Sequence, residues 1–150
     1  MDTGRNPADR HERGTTHHLV TDGRGTPPGC LVSGADVADL CRLLPLVLCV
    51  PLGIGPPTAW PPELLADRNY DSELHRVLLR RLGIEADIGR RVGEDTPRRR
   101  ERYVVERTIA AVHQNRRLKL RYDERSDIHH ALLTLACIKV CWYRLDPDRR

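Results

Sequence analysis

Apolar positions along the chain alternate between the spacing of strands and the spacing of helices. Residues 17–22 and 29–33 are short β-prone runs separated by turn residues, which predicts a hairpin. Residues 63–66 form a third apolar run, and residues 84–88 alternate with period two. A helical pattern over residues 72–82 fills the interval between these last two runs. The spacing therefore predicts a parallel strand–helix–strand unit.

Three further segments carry apolar residues at helical spacing. The first begins around residues 36–39 and continues through Leu48, and the others cover residues 102–115 and 127–143. Pro45 is expected to kink or end the first helix, and Gly83 to stop the helix of residues 72–82. The positions of that helix predicted to share a face are Leu74, Val77, Leu78 and Leu82. The element order is two strands, helix, strand, helix, strand and then helices, which indicates the α/β class.

The remaining segments predict a single domain with irregular ends. Residues 1–16 are polar and aperiodic and are interpreted as a lead-in, the domain covers 17–145, and 146–150 form a tail. Residues 51–62 hold five prolines and two glycines, which indicates an irregular linker. No apolar stretch reaches the ~20 residues of a membrane span, and no signal peptide is recognisable. We therefore expect an intracellular protein without membrane association.

The charge distribution is locally basic. Lys and Arg number 25 against 21 Asp and Glu, so a polyanionic partner is allowed but not required. Most of the excess falls between residues 90 and 125, where it forms either a solvated helix face or a cationic field for a phosphate backbone. Aromatic residues make up only 4% of the chain, so base stacking on an aromatic platform is a poor explanation for any nucleic-acid binding.

The five cysteines lie among apolar neighbours and contain no CxxC pair. Cys137 and Cys141 are one helical turn apart, which would suit two metal ligands, with His129 and His130 preceding them. Structural zinc sites favour shorter-range knuckles, so free core cysteines are the preferred interpretation.

Two carboxylates are candidates for metal-dependent phosphodiester chemistry. Asp67 stands at the carboxyl end of a short apolar strand, where open α/β sheets place ligand-binding groups. Glu106 lies on a predicted helix rich in arginine, with Arg102 one turn before it. Paired carboxylates hold hard divalent cations that activate a nucleophile and stabilise a leaving oxygen.

Simpler interpretations of the same residues stay open. Asp67 fits a turn, and Glu106 fits a surface ion pair with Arg102, worth a few tenths of a kcal/mol. Asp22, Asp36 and Asp39 are interpreted as turn and cap residues. One of His17 and His18 should face inward in an alternating strand. His113 lies two turns beyond Glu106 and is a weak candidate for supporting the carboxylate or contacting DNA.

Four ordered segments together resemble bacterial insertion-sequence transposases of the DDE class, in the group named after insertion sequence five. The segments are Thr15-Thr-His-His-Leu-Val-Thr-Asp-Gly-Arg-Gly25, Leu64-Leu-Ala-Asp-Arg-Asn-Tyr-Asp-Ser72, Tyr103-Val-Val-Glu-Arg-Thr-Ile-Ala110 and Arg116-Arg-Leu-Lys-Leu-Arg-Tyr122. The resemblance runs from about Thr3 to Arg144. It implies an RNase H-like fold of the retroviral-integrase superfamily, with Asp67 and Glu106 as the second and third catalytic acids.

The resemblance also implies a cofactor, partners and DNA contacts. The acids would hold Mg²⁺ or Mn²⁺, and the DNA would be the element's terminal repeats and the target duplex. The residues expected to contact DNA are Arg102, Arg107, His113, Arg116, Arg117, Lys119 and Arg121. A homo-oligomer is a further expectation, and so is a cytoplasmic location, associated with the nucleoid when bound to DNA.

Departures from the family pattern predict a truncated domain. The family's first catalytic Asp lies on a central strand upstream of the segment matching residues 3–25, and Asp2 has no apolar strand around it. Without that strand, two sheet edges would stay unpaired and the isolated chain should be marginally stable. We therefore expect the chain alone to be inactive. The alternatives are a non-catalytic basic DNA-binding or interaction remnant, or one half of a transposase encoded in two reading frames whose upstream polypeptide supplies the first Asp.

Overall fold

A computed structural model describes residues 4–5, 13–50, 60–89, 99–120 and 125–145, without the side chains of residues 5, 13 and 99–102. The predicted linker at residues 51–62 therefore lies largely outside the described residues, as does the tail at residues 146–150. The strands are β1 Gly4–Arg5, β2 Arg13–Val20, β3 Gly29–Gly34, β4 Glu63–Ala66 and β5 Glu85–Ile88. The α-helices are α1 Leu40–Cys49, α2 Glu73–Arg81, α3 Arg99–Val112, α4 Arg116–Lys119 and α5 Ser126–Leu145.

The predicted hairpin is confirmed as the antiparallel pair β2 and β3. His17 pairs with Val32 and Leu19 with Cys30, so these four side chains share one face of the sheet. β2 begins at Arg13, earlier than the predicted start at residue 17, and β1 pairs with its first two residues. The predicted irregular lead-in is therefore too long. The sequence pattern did not indicate this part of β2, because Arg13 and Gly14 are not apolar. Pairing with β1 extends the strand here, and no alternation of apolar residues marks it.

Helices pack on both faces of the hairpin. His18 faces α1, because its ring lies near the charges of Asp39 and Arg42. His17, on the opposite face, contacts His113, which directly follows α3, and His129 of α5. The hairpin is therefore the middle layer of an α/β/α arrangement, which confirms the predicted fold class.

The predicted strand–helix–strand unit is confirmed as β4, α2 and β5. β4 and β5 pair in parallel, with Glu63 opposite Glu85 and Ala66 opposite Ile88. Gly83 follows α2 with a φ of +77°, a left-handed conformation that favours glycine and ends the helix as predicted.

α1 continues past Pro45 to Cys49, so of the two effects predicted for this proline, ending the helix is excluded. Two other helix predictions need correction. In α2 the fully buried residue is Leu79, whereas Leu74, predicted on the core face, is 64% exposed. α3 begins at Arg99 and ends at Val112, about one turn earlier than the predicted 102–115 at both ends. Helical spacing alone does not show whether Leu74 or Leu79 packs against the sheet, because that depends on where β4 and β5 lie relative to α2.

The hydrophobic core has two parts. The first joins α1 to the β4–α2–β5 unit and contains Leu43, Val47, Leu79, Ile84 and Ile88. The second joins α3, α4 and α5 to the hairpin and contains Val112, Leu118, Leu133, Ala136 and Cys137. All five cysteines are free thiols, but Cys41 is exposed, so the prediction that all are core residues is wrong for that one.

The two sheets are not hydrogen-bonded to each other. β1, β2 and β3 form one sheet, and β4 and β5 form another. Within the described residues, β2 has only the two residues of β1 along its outer edge, and β4 has only β5 as a partner. No helix in the described part of the chain is long and apolar enough to cross a membrane.

Candidate active-site cleft

A cleft of about 550 Å³ lies between the edge of β2 and the edge of β4. Residues 17–23 form one wall and residues 63–67 the other. Side chains from two helices close it, namely Leu43, Leu46 and Val47 of α1 and Val104, Val105 and Ile109 of α3. The cleft thus occupies the space between two strand edges with helices on either side, which is the environment of a central strand in an α/β sheet.

Asp67 is held at the carboxyl end of β4. Its backbone is extended, and its Oδ1 accepts a hydrogen bond from the Arg68 backbone N–H at 2.7 Å. This contact caps the short 3₁₀ turn Arg68–Tyr70, since a side-chain oxygen satisfies a donor left unpaired at the start of a helical turn. The carboxylate is exposed and lines the cleft. Asp67 therefore caps the turn and lines the cleft with the same carboxylate.

Glu106 lies on α3, beside the cleft. The preceding residues Val104 and Val105 line the cleft, whereas Glu106 is exposed and is not part of the lining. α3 is held by Thr108, whose buried hydroxyl donates to the Gly25 carbonyl at 2.8 Å and also lies 3.0 Å from the Val104 carbonyl. The structure thus brings Asp67 and the helix of Glu106 to the same cleft, although of the two acids only Asp67 lines it.

A family model described as a transposase DDE domain matches residues 1–141. The chain belongs to the transposase DDE domain family. The resemblance expected from the four sequence motifs is thereby confirmed.

One relative of this DDE domain is a putative transposase for insertion sequence element IS402 from Burkholderia cepacia. It is 46% identical over 147 residues, which are 95% of this chain and 70% of the relative. No solved structure gives a significant match, so the RNase H-like fold stays a prediction.

The DDE domain has further groups at the cleft that the sequence did not indicate. Asp39 was predicted to cap α1, and it does occupy the N-cap position, but its side chain makes no capping hydrogen bond. It lines the cleft together with Asp67 and Tyr70. Burial raises the pKa of Tyr70 to about 12, and the carboxylates of Asp39 and Asp67 add to this increase. The negative charges of Asp39 and Asp67 therefore both disfavour ionisation of the Tyr70 phenol. The only feature of the sequence that could have drawn attention to Asp39 as a cleft residue is its position three residues after another acid, Asp36.

Asp22, another predicted turn residue, is confirmed in that role. Its Oδ1 accepts hydrogen bonds from the backbone N–H groups of Arg24 at 2.9 Å and Thr26 at 2.7 Å. This is an Asx-type turn, which fixes the connection between β2 and β3.

The basic residues predicted to contact DNA fall into two groups. Arg107 is exposed and its guanidinium lies 5.8 Å from the ring centre of Tyr103. Arg116, Arg117 and Lys119 are all exposed on the single turn of α4. Arg121 and the side chain of Arg102 lie outside the described residues.

His113, the remaining predicted DNA contact, belongs to a cluster of three histidines. Its Nε2 lies 3.0 Å from His17 Nδ1, while His17 Nε2 lies 2.8 Å from His129 Nε2. His129 is buried and its ring stacks on that of His17 at 5.0 Å. The cluster joins β2, α3 and α5. Because its members are 96 and 112 positions apart in sequence, spacing could not reveal it.

The two candidate acids only partly fit a metal site. Their oxygens are the donors that hard divalent cations prefer. Within the described ranges, however, no group of three or more His, Cys, Asp or Glu side chains is arranged to hold a metal ion. Asp67 and Glu106 would hold part of the coordination shell of a divalent ion, which would supply activation of the attacking hydroxyl and charge stabilisation of the leaving oxygen.

Proposed function

We propose that this chain forms part of an RNase H-like DDE catalytic domain in which Asp67 and Glu106 are the second and third acids. The cleft between β2 and β4 is the observation that carries the proposal. It lies between a hairpin and a parallel strand pair, with Asp67 on one wall and α3 on another side. One extended strand inserted there would lie beside the edges of β2 and β4 and could join the two sheets into one.

The inserted strand is proposed to supply the first acid. Parallel β4 ends at Asp67, and a strand parallel to β4 and beside it would present its own carboxyl half at the same end of the sheet. A polypeptide from an upstream reading frame is the proposed source. By this proposal the domain completed by that strand cuts and joins insertion-sequence ends with Mg²⁺ or Mn²⁺.

The test compares the chain alone with the chain co-expressed with the polypeptide encoded upstream. Each is incubated with terminal-repeat DNA and Mg²⁺ or Mn²⁺, and cleavage and strand transfer are measured. Activity should require both polypeptides and be lost in Asp67→Asn and in Glu106→Gln. Glu85→Gln, an exposed acid on β5, is the matched control and should keep activity. Metal-dependent cleavage by residues 1–150 alone, abolished by Glu106→Gln, would contradict the proposal that a further strand supplies the first acid.

A second candidate function is non-catalytic DNA binding through the exposed basic residues. The clustering of Arg116, Arg117 and Lys119 on one turn favours it. Binding through a basic patch would be independent of metal, weakly dependent on sequence and strongly dependent on salt. Duplex binding that persists in EDTA would favour this candidate if the complemented protein, which is the chain co-expressed with the upstream polypeptide, shows no cleavage. Either function is proposed to operate in the cytoplasm, at the nucleoid when DNA is bound.

A further inference from the structure

The outward side of α5 carries an exposed row of large apolar side chains. Ile128 is 41% exposed, Leu135 61%, Ile138 56%, Trp142 56% and Leu145 82%. The opposite side of the same helix is buried against the hairpin through His129, Leu133, Ala136 and Cys137. A helix that is apolar on two sides is normally covered on both. The described part of the chain covers only one.

The spacing of this outer row is that of a coiled-coil seam. With Ala131 included, the positions run 128, 131, 135, 138, 142 and 145, so the steps alternate between three and four residues. This is the a and d pattern of the heptad repeat, in which each side chain inserts between four residues of a facing helix. A groove for a small molecule or an extended peptide does not require this pattern. The spacing therefore favours a helix as the partner.

We propose that a second copy of this chain covers the row, with the two α5 helices antiparallel. In this orientation Leu135 of each copy meets Ile138 of the other at the centre, and Ile128 meets Leu145 at the ends. The a and d spacing is self-complementary in this orientation, because the paired positions 128 and 145, 131 and 142, and 135 and 138 all belong to the same row. Opposed helix dipoles favour the same orientation.

The size of the row predicts a weak dimer. Five large side chains that are about half exposed present on the order of 500 Å² per copy, taking roughly 200 Å² for each whole side chain. A symmetric pair would bury about 1,000 Å², the lower end of the range for specific interfaces. No described residue of α5 lines the cleft, so this interface is independent of the proposed catalytic site.

Sedimentation velocity of the full chain over a range of micromolar concentrations tests the proposal. We expect a monomer–dimer equilibrium, and a loss of at least tenfold in dimer affinity for Leu135→Glu and for Ile138→Lys. The double variant L135E/I138K should regain affinity, because each Glu would meet a Lys of the other copy. Leu74→Glu, a 64% exposed position on α2, is the control and should dimerise like the parent.

Far-UV circular dichroism should be unchanged in all these variants, since the altered side chains are exposed. A parent chain that stays monomeric over this range would overturn the proposal. Unchanged dimerisation of both single variants would also overturn it, by locating the interface elsewhere. Failure of the double variant to recover would overturn the antiparallel arrangement, because a parallel pair would place Glu against Glu and Lys against Lys.

Discussion

His17 Nε2 lies 2.8 Å from His129 Nε2, and the two rings stack. The cluster contains two nitrogen–nitrogen hydrogen bonds, from His17 to His113 and from His17 to His129. Each bond needs one proton, and three neutral imidazoles carry enough protons for both. One added proton on the central His17 can still be accommodated, because both of its nitrogens would then donate. A second added proton, on His113 or His129, would point an N–H group at an N–H group of His17. The hydrogen bond between these two rings would then be lost, and with it one of the contacts that join β2 to the end of α3 and to α5.

Stability should therefore fall in acid. Burial lowers the pKa of His113, helped by the charge of Lys119, and burial also lowers the pKa of His18. Both are neutral in the folded chain below the ordinary value of about 6.5, whereas the unfolded chain takes up protons there. Their contribution is complete above about pH 6.5 and is lost as the pH falls toward the lowered folded-state values. Urea unfolding between pH 5 and 8 should show this slope.

The control for this prediction separates the cluster from other histidines. His113→Leu should reduce the dependence of stability on pH and leave the part due to His18, whereas His75→Asn, on α2 and outside the cluster, should leave the full dependence in place. The same slope in the parent and in His113→Leu would show that the cluster does not couple folding to protons.

The hydroxyl of Thr108 should matter more than its methyl group. Thr108→Val keeps the shape but removes the donor to the Gly25 carbonyl, and we expect a loss of about 1–3 kcal/mol in the free energy of unfolding. Thr108→Ser keeps the donor and is the matched variant, with a smaller loss. Equal losses in Val and Ser variants, measured by chemical denaturation, would assign the effect to packing.

Tyr70 reports on the geometry of the cleft. Its pKa is raised to about 12, first by burial and then by Asp39 and Asp67. Spectrophotometric titration should show one phenol ionising near pH 12, and both Asp39→Asn and Asp67→Asn should lower the pKa of Tyr70. Folding stability should decrease between about pH 10 and 12, since the unfolded phenol ionises first. An unchanged titration in both variants would place the two carboxylates away from the ring.

The basic turn α4 should contribute to DNA binding through charge. Replacing Arg116 and Lys119 together by Gln should reduce the slope of log affinity against log salt by about 0.9 for each phosphate that the variant no longer neutralises. The paired change Arg80→Gln and Arg81→Gln, on exposed residues of α2, is the control. Equal salt slopes in both double variants would assign DNA binding to another surface.

Local sequence patterns predicted the features of this fold that depend on interactions between residues close in sequence, such as the ends of strands and helices. Asp67 could be located because a short apolar strand ends there, and Gly83 because a helix must stop there. The choice of Leu79 over Leu74 depends on where β4 and β5 lie, and the histidine cluster depends on contacts across the whole chain. The outer row of α5 has a visible heptad, but only the folded structure shows that one side is already buried against the hairpin.

Replacing Asp67 by Cys in the complemented protein tests the assignment of the active site most directly. A thiolate is a poor ligand for Mg²⁺ and a better one for softer Mn²⁺. We predict that strand transfer by Asp67→Cys is lost in Mg²⁺ and partly restored in Mn²⁺, while Glu85→Cys behaves like the parent with both ions. Full activity of Asp67→Cys in Mg²⁺ would contradict the assignment of Asp67 as a metal-binding acid.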